Sequence, residues 1–402
     1  MAERVRVMLL LSSLHGGGAE RVAVHLLNRC DPAVVDVRMG LLRKAGPFLK
    51  DADPKRVHAS RIGQDLLAFE GHNSSFYRPD KLVAGAVLAP ANISRLIRDH
   101  RPHVVMSFLN GMSVLTYFVV KGMGRTAPRW IAREGNNTDA VIDDELSNPA
   151  GRALIKGLTR RVYRAADCFL ANSHEMARGL TSALALDPGR VRVIQNPIDV
   201  ANVQTRANEE IPWSPLRPFI VTAGRLEYQK GHDVLLKAYA ASEEARKFDL
   251  VILGRGSLED ELKQLAVELG IADKVSFPGF VTNPWAWISK ARLFVLPSRW
   301  EGFPSIVAEA LACGAPALVT ACDFGPREVV EHGHSGWVVP PDDIAAFTHA
   351  MDKLLLQPDL TRRFSSEGPP RAAGFDIARM VESYTELFLE QAAGGQTQAL
   401  RA

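Results

Sequence analysis

The 402-residue sequence has few of the features that mark metal-binding, disulfide-linked, membrane-spanning or nucleic-acid-binding proteins. Its four cysteines are scattered, without a Cys-x-x-Cys pair or a histidine at metal-ligand spacing. We therefore predict reduced thiols, no bound metal and no cofactor. No apolar run approaches the roughly 18 residues that cross a bilayer. The net charge of +3 is close to balanced, which argues against nucleic acid as a partner.

The N-terminal apolar run, residues 7–11, is also too short for the core of a signal peptide. No small-residue cleavage site follows it. We therefore expect a cytoplasmic protein that, if it meets a membrane, lies peripherally on its inner face.

Short runs of Val, Ile, Leu and Phe alternate with helical patterns along most of the chain. The predicted strands are 5–11, 35–42, 103–108, 130–133, 168–171, 191–194, 219–223, 249–253, 275–277, 293–296 and 315–320. The predicted helices are 19–29, 80–99, 148–165, 174–184, 232–241, 258–269, 305–312, 343–355 and 377–390. Continuous apolar strands separated by helices indicate parallel sheets covered on both faces. We predict an α/β protein with two Rossmann-like β/α/β domains facing across a cleft, where ligands of open parallel sheets bind.

The alternation lapses after Asp199, where prolines and acidic residues predict a linker. We expect an N-terminal domain over residues 1–200, a linker over 201–217 and a C-terminal domain over 218–375. A last helix over 376–392 is expected to cross back to the N-terminal domain, and 393–402 to be a disordered tail.

Residues 301–309 read Glu-Gly-Phe-Pro-Ser-Ile-Val-Ala-Glu and follow a strand of the buried type. Pro304 suits the first turn of a helix, and the free amides of Ser305 and Ile306 would then form a phosphate-binding helix start. Glu301 and Glu309 flank this start, which suits an anion that carries hydroxyls on both sides, as a sugar nucleotide does. The alternative is a loop charge and a solvated helix residue.

Two further loops follow strands in a way that favours phosphate. Arg225 and Lys230 lie between a strand and a helix, where fixed cations can stabilise a leaving nucleoside diphosphate in place of a divalent metal. Taken alone, an arginine and a lysine in a loop are more often surface charges. The glycines at 16–18 permit close backbone approach to a phosphate or sugar, although they match neither the dinucleotide-binding nor the Walker pattern and also suit a plain tight turn.

Taken together, these elements resemble the family 4 glycosyltransferases, which are retaining enzymes of the GT-B architecture. The resemblance spans most of the chain, through residues 16–21 and 224–342. Its most specific part is Ser298-x-x-Glu301-Gly-Phe followed by Glu309. The other parts are Gly224-Arg225-Leu226, Lys230-Gly231, Gly254-x-Gly256, Gly325-Pro326-Arg327-Glu328 and Gly336-x-x-Val339-Pro340.

The resemblance implies a role for each matching residue. Glu301 would lie by the donor sugar, Glu309 would hold the ribose hydroxyls, and Arg225 with Lys230 would grip the diphosphate. The implied backbone contacts to the donor are Gly17, Gly18, Val281, Phe303, Pro304, Ser305 and Ile306. The first domain would bind the acceptor and the second the donor. Front-face attack, with the leaving phosphate as base, requires no protein nucleophile.

One segment departs from the family pattern. Many relatives have a histidine where this chain reads Arg133-Glu134-Gly135-Asn136-Asn137. This variant resembles a subgroup that includes transferases of bacterial surface-glycan assembly. Glu134 is either a catalytic contact to the acceptor or donor sugar, or a buried ion-pair partner of Arg133.

The resemblance thus predicts metal-independent transfer of a hexose or N-acetylhexosamine from a nucleotide sugar, with UDP favoured over GDP. The acceptor would be a glycan or a polyprenyl- or lipid-linked sugar in surface polysaccharide or lipopolysaccharide assembly. The alternatives are a non-catalytic assembly subunit that binds nucleotide sugar, and a nucleotide-sugar epimerase on the same fold. A basic stripe, defined as Arg152, Lys156, Arg160 and Arg164, is either a solvated helix face or a contact for anionic lipid.

Overall fold

The computed structural model describes residues 4–15, 17–59, 79–211 and 217–399. The chain divides into two compact units. Unit 1 comprises Met1–Asn196 together with Ala378–Ala402, and unit 2 comprises Pro197–Ile377. Each unit is built on its own parallel sheet.

Within the described residues, the sheet of unit 1 has seven parallel strands in the order β3-β2-β1-β4-β5-β6-β7. They are β1 (Val5–Leu11), β2 (Val35–Leu41), β3 (Val57–Ala59), β4 (Val104–Phe108), β5 (Arg129–Arg133), β6 (Cys168–Ala171) and β7 (Val191–Val193). The helices are α1 (Gly18–Arg29), α2 (Pro79–His100), α3 (Leu109–Met123), α4 (Thr138–Glu145), α5 (Pro149–Ala165) and α6 (His174–Leu184).

The sheet of unit 2 has six parallel strands among the residues described, in the order β10-β9-β8-β11-β12-β13. They are β8 (Phe219–Ala223), β9 (Asp249–Leu253), β10 (Val275–Gly279), β11 (Leu293–Leu296), β12 (Ala317–Thr320) and β13 (Trp337–Val339). Along the chain the helices are α7 (Val200–Ala207), α8 (His232–Ala241), α9 (Glu259–Glu268), α10 (Trp285–Ile288), α11 (Ser305–Ala312), α12 (Pro326–Val329), α13 (Ile344–Leu356) and α14 (Pro358–Ala373). Counted from its own first strand, each sheet has the 3-2-1-4-5-6 order of a Rossmann fold, which confirms the predicted fold class.

Burial on both faces explains why the strands of unit 2 are continuous apolar runs. Val221 and Leu253 belong to a core cluster on one face of the sheet, with residues of α7, α10, α11 and α14. Ile220 and Ile252, their neighbours in sequence, belong to a second cluster with residues of α8, α9 and α13. Successive side chains thus enter different cores, and neither face is left for polar residues.

Every predicted strand is present, with ends shifted by at most two residues, but several helices were not predicted. Helix α3 is apolar on most sides because it is buried, so it shows little helical periodicity. Helix α14 contains Pro369 and Pro370, which usually mark a helix end. Packing overrides that signal, since α14 lies against α11 at Gly368, where a β-carbon would be 3.0 Å from the carbonyl oxygen of Leu311.

The linker predicted over 201–217 is wrong at its beginning. Helix α7 occupies Val200–Ala207 and belongs to unit 2. Asp199 caps it by accepting a hydrogen bond from the amide of Asn202, and Val203 and Ala207 are buried in the core of unit 2. The prolines that suggested a linker come later, and residues 212–216 lie outside the described residues.

The C-terminal helix, α15 (Ile377–Ala399), belongs to unit 1 from Ala378 onward. Arg133 donates a hydrogen bond to the hydroxyl of Tyr384 at 2.8 Å, and Arg192 pairs with Glu390 at 2.7 Å. The helix continues to Ala399, so the tail predicted to be disordered from residue 393 is helical over most of its length. No helix among the described residues is long and apolar enough to cross a membrane.

Candidate functional site

The carboxyl ends of β8 and β11 bring two of the predicted site segments together in unit 2. These strands are neighbours in the sheet, although three helices and two strands separate them in sequence. The order of the sheet reverses between them, and ligands of Rossmann folds bind at such a reversal. The loop after β8 carries Arg225 and Lys230, and the loop after β11 carries Glu301.

Two glycines allow the loops at these strand ends to touch. Gly231 has φ +63°, and a β-carbon there would lie 2.2 Å from the carbonyl oxygen of Pro297. Gly254 has φ +142°, and a β-carbon there would lie 1.8 Å from the carbonyl oxygen of Gly224. Only glycine fits both the backbone conformation and the space. These two contacts hold the loop that carries Arg225 and Lys230 against its neighbours.

Lys230 and Glu301 form the centre of this site. The Lys230 Nζ lies 2.6 Å from Glu301 Oε1, and the Ser298 hydroxyl donates to the same oxygen at 2.7 Å. The Lys230 side chain is 14% exposed and that of Glu301 is 7% exposed. Both charges are largely buried and paired with each other, and their attraction offsets the desolvation cost of burying them. Among the described residues only Oε1 is bonded, so Oε2 keeps its capacity to accept a hydroxyl.

Arg225 is joined to the same loop through Gln229. Arg225 Nη2 donates to the Gln229 side-chain oxygen at 3.0 Å, and Gln229 Nε2 donates to the carbonyl of Trp300 at 2.9 Å. Gln229 is buried. It therefore orients the guanidinium relative to Glu301, the residue that follows Trp300.

His232 supports the backbone of Arg225. Its Nε2 lies 3.2 Å from the carbonyl oxygen of Arg225 and serves as the donor, because a carbonyl only accepts. Burial lowers the pKa of His232 from its ordinary value to about 4. The imidazole is therefore neutral at physiological pH and adds no charge to the site.

The start of helix α11 agrees only in part with the predicted phosphate cradle. Pro304 is the N-cap, and no side chain caps the helix. The amide of Ser305 donates to the carbonyl of Phe303 at 2.9 Å, so it is not the free donor that the sequence predicted. The chain turns tightly here before the helix begins. The amide of Ile306 has no acceptor in the described part of the chain and remains a candidate phosphate donor.

Glu309 lies one turn into α11 and is buried, with 4% exposure. The indole N–H of Trp285 donates to its Oε2 at 2.8 Å. Val281 lies four residues before Trp285, in the loop after β10, and packs against the core cluster of unit 2 that contains Trp285. The structure thus places Glu309 in a fixed orientation rather than on a solvated helix face.

In unit 1 the glycine loop leads directly into α1. Gly17 is the N-cap of that helix, in extended conformation, and Gly18 is its first residue. Both are exposed, and Gly16 lies outside the described residues. A β-carbon at Gly17 would meet only the end of the flexible Glu20 side chain, at 2.7 Å. The backbone at this helix start is exposed, and its contact with phosphate stays a prediction.

Glu134 follows β5 and is buried, with 2% exposure. Its Oε1 accepts the amides of Gly135 at 2.7 Å and Asn136 at 3.1 Å, and Tyr163 donates its hydroxyl to Oε2. Burial raises the pKa of Glu134, against these hydrogen bonds. One carboxylate oxygen therefore holds the loop after β5, and the other is bonded to Tyr163 on α5.

The ion pair between Glu134 and Arg133, one of the two alternatives that the sequence left open, is not formed. Arg133 is also buried, but it donates to Tyr384 at 2.8 Å and to Asn196 at 2.6 Å, and it lies over the ring of Phe108. Arg133 is the last residue of β5 and Glu134 the first residue of the loop after it, and the two side chains find separate partners.

The basic stripe on α5 is largely satisfied by the protein itself. Lys156 pairs with Asp143 at 2.7 Å, and Arg152, Arg160 and Arg164 each donate to a backbone carbonyl. Leu154, an apolar residue of the same helix, is 72% exposed.

Sequence reasoning missed four residues that orient predicted site residues: Gln229, Ser298, Trp285 and Tyr163. Trp285 and Tyr163 are buried side chains whose partners are distant in sequence, so no local spacing reveals them. Gln229 lies four residues from Arg225, but its second partner, Trp300, is 71 residues away.

Comparison with known proteins identifies the family. The model described as Glycosyltransferase Family 4 matches residues 16–202, and the model described as Glycosyl transferases group 1 matches residues 204–371. An N-acetylgalactosamine-N,N'-diacetylbacillosaminyl-diphospho-undecaprenol 4-alpha-N-acetylgalactosaminyltransferase from Campylobacter jejuni is 30% identical over 262 residues, covering 63% of this chain and 71% of that protein.

Two other similar proteins cover nearly the whole chain. The lipopolysaccharide core biosynthesis glycosyltransferase LpsE from Rhizobium meliloti is 23% identical, over 92% of this chain and 95% of its own. The structure of Anabaena HepE in complex with UDP-glucose has a TM-score of 0.74 at 17% identity, over 96% of this chain and 100% of its own. The fold, the two matched models and the Campylobacter relative establish that the chain belongs to the family 4 and group 1 glycosyltransferases, with the GT-B fold.

Proposed function

We propose that this glycosyltransferase is a retaining, metal-independent enzyme that transfers a hexose or N-acetylhexosamine from a UDP-sugar to a lipid-linked or glycan acceptor. The observation that carries the proposal is the cluster of Lys230, Glu301 and Arg225 at the point where the sheet of unit 2 reverses. The cluster joins two cations for a diphosphate with one carboxylate for a sugar hydroxyl.

The proposed chemistry assigns each group a task. The bond between the anomeric carbon and the diphosphate breaks, and Lys230 and Arg225 stabilise the negative charge that the diphosphate gains. Glu301 Oε2 accepts a hydroxyl of the transferred sugar and orients it. The acceptor oxygen bonds to the anomeric carbon on the face that the diphosphate leaves, and its proton passes to a diphosphate oxygen. Configuration is retained without a protein nucleophile.

The remaining donor contacts follow the same assignment. Glu309 holds the ribose hydroxyls, and the backbone of Val281 contacts the base. In unit 2 the diphosphate is contacted by the backbone of the segment Phe303, Pro304, Ser305 and Ile306, with Ile306 as the amide donor that the geometry favours. In unit 1, the backbone of Gly17 and Gly18 is assigned to the donor on the basis of the family resemblance. Glu134 acts differently: because one of its oxygens holds the loop after β5 and the other is bonded to Tyr163 on α5, we assign it to positioning that loop rather than to contact with a reacting sugar.

Similar proteins support the choice of substrates. The Campylobacter relative acts on a diphospho-undecaprenol substrate, LpsE takes part in lipopolysaccharide core biosynthesis, and HepE has been crystallised with UDP-glucose. A UDP-sugar donor and a lipid-linked acceptor in surface-glycan assembly fit these precedents. Unit 1 is assigned to the acceptor, and the protein to the cytoplasm and the inner face of the membrane. Leu154, exposed beside the basic stripe, is the side chain suited to peripheral membrane contact.

The test is calorimetry with UDP, GDP, ADP and their common sugar conjugates in EDTA, followed by transfer assays with lipid-linked acceptors. We expect UDP and one UDP-sugar to bind in EDTA, and nuclear magnetic resonance of the product to show the anomeric configuration of the donor. Binding of GDP alone would overturn the donor base. Loss of activity in EDTA, restored by a divalent cation, would overturn metal independence.

The same assays separate the alternatives. An epimerase would convert the UDP-sugar to its epimer without an acceptor. A non-catalytic subunit would bind the nucleotide sugar and transfer nothing to any acceptor extract. Absence of binding to every nucleotide would overturn the assignment of unit 2 to the donor.

A further inference from the structure

The side chain that orients Glu309 comes from a segment with no assigned role. Trp285 begins the short helix α10, four residues after Val281, and its indole N–H lies 2.8 Å from Glu309 Oε2. Trp285 is 7% exposed and Glu309 is 4% exposed. A hydrogen bond between a neutral donor and a carboxylate is strong when water is kept away from it.

Helix α7 holds Trp285 from the other side. The guanidinium of Arg206 lies 5.0 Å from the centre of the Trp285 ring, and the same arginine donates to the carbonyl of Thr282 at 3.4 Å. Asn283 donates to the carbonyl of Arg206 at 2.9 Å. The loop between β10 and α10 is therefore fixed to α7 at several points, and the indole has little freedom to turn.

A fixed indole restricts the rotation of the carboxylate. A glutamate on a helix can rotate its carboxylate about the last side-chain bond, and its plane then varies. To accept two neighbouring ribose hydroxyls, one at each oxygen, the carboxylate plane must have one particular orientation. A donor that fixes Oε2 fixes that plane before the nucleotide arrives, so ligand binding need not order it.

We infer that Trp285 is the positioning residue for ribose recognition: its indole N–H sets the Glu309 carboxylate in the orientation that accepts both ribose hydroxyls. The inference rests on the proposed role of Glu309. It predicts that the enzyme discriminates nucleotides with ribose hydroxyls from nucleotides without them, and that this discrimination depends on Trp285.

The experiment compares the Kd of UDP with that of 2′,3′-dideoxy-UDP by calorimetry, in the wild type and in Trp285→Phe. In the wild type, the dideoxy compound should bind about tenfold or more weakly, the usual effect of losing hydrogen bonds to a charged group. In Trp285→Phe, UDP should weaken while dideoxy-UDP is unchanged, so the ratio of the two Kd values falls severalfold. A variant whose packing alone is disturbed would weaken both ligands alike.

Two further variants make the comparison specific. Trp287→Phe removes an indole from the same helix, where the Trp287 ring packs edge-on against Phe219, and should leave the ratio at its wild-type value. Trp285→His keeps a ring N–H and should recover part of the ratio; it also serves if Trp285→Phe does not fold.

The two possible failures are distinct. If the wild type binds UDP and dideoxy-UDP equally, the proposed role of Glu309 is wrong. If the wild type discriminates and Trp285→Phe discriminates equally well, the role of Glu309 stands and the inference about Trp285 is overturned.

Discussion

The two units have the same strand order but use the carboxyl ends of their strands differently. In unit 2, Lys230 and Glu301 meet at the carboxyl ends of β8 and β11, between which the order of the sheet reverses. Glu301 keeps one carboxylate oxygen for a ligand. In unit 1, Glu134 after β5 has both oxygens bonded to its own loop and to Tyr163. A glutamate at a strand end thus identifies a site only when its partners leave it acceptor capacity. Sheet topology places both residues, and the bonding of each carboxylate separates their roles.

The largest effect is expected from removing Lys230 from its pair with Glu301. Lys230→Ala should lower kcat on the order of a hundredfold, because the leaving diphosphate loses a fixed cation. Lys237→Ala is the matched control, since Lys237 pairs only loosely with Asp233 at 3.7 Å and lies in the neighbouring helix α8. Initial rates with saturating donor and acceptor measure both. Wild-type turnover in Lys230→Ala would remove that lysine from the mechanism.

The next effect concerns the stability of the unit 2 site rather than its chemistry. The folded protein keeps His232 neutral, with its pKa lowered to about 4, while an unfolded chain takes up a proton near the ordinary value of 6.5. This contribution to stability is present above pH 6.5 and is lost as the pH falls towards 4. Between pH 7 and 5 the loss should be about 2 kcal/mol.

Urea denaturation at the two pH values measures that loss. His232→Gln can still donate to the carbonyl of Arg225 but does not titrate, so its unfolding free energy should depend less on pH by about the same 2 kcal/mol. Equal slopes for the variant and the wild type would show that His232 does not carry the pH dependence.

A smaller effect is expected from substituting Glu309, the residue of unit 2 that is proposed to bind the ribose. Glu309→Ala should raise the Kd of UDP about tenfold, since two hydrogen bonds to a charged acceptor are lost. The value of kcat at saturating donor should change little, because the ribose does not react. An unchanged Kd would remove the ribose assignment, and a large fall in kcat with unchanged Kd would move Glu309 to the chemical step.

The sequence predicted unit 2 more completely than unit 1, and the reason is physical. Arg225, Lys230 and Glu301 lie in loops that directly follow apolar strands, so both their neighbourhood and their chemistry are visible in sequence. Trp285 and Gln229 act through partners 24 and 71 residues away, and no local pattern reports such contacts. Helix α7 has only a short apolar face and is followed by prolines, so its sequence pattern favours a linker over a helix.

Unit 1 shows the same limit in a different form. From the sequence, an ion pair between Arg133 and Glu134 is one of two alternatives for Glu134, because the two residues are adjacent and opposite in charge. Their side chains instead reach Tyr384 and Tyr163, which lie on α15 and α5. The direction in which a side chain leaves a strand end depends on the fold. Whether Arg133 pairs with Glu134 or with other residues can therefore be decided only from the structure.

The smallest effect tests the contrast between the two glutamates. Glu134→Gln keeps the shape of the side chain and one oxygen for the amides of Gly135 and Asn136, but it weakens the bond from Tyr163. If Glu134 only positions its loop, KM for the acceptor should rise severalfold while the Kd of UDP and the rate at saturating acceptor stay near wild type. Tyr163→Phe removes the same bond from the other side and should reproduce the change, and the double variant should add little to it because both substitutions break one contact. A hundredfold loss of kcat in Glu134→Gln, with wild-type KM and without a matching loss in Tyr163→Phe, would instead make Glu134 a catalytic residue like Glu301, and the distinction drawn from hydrogen-bond capacity would fail.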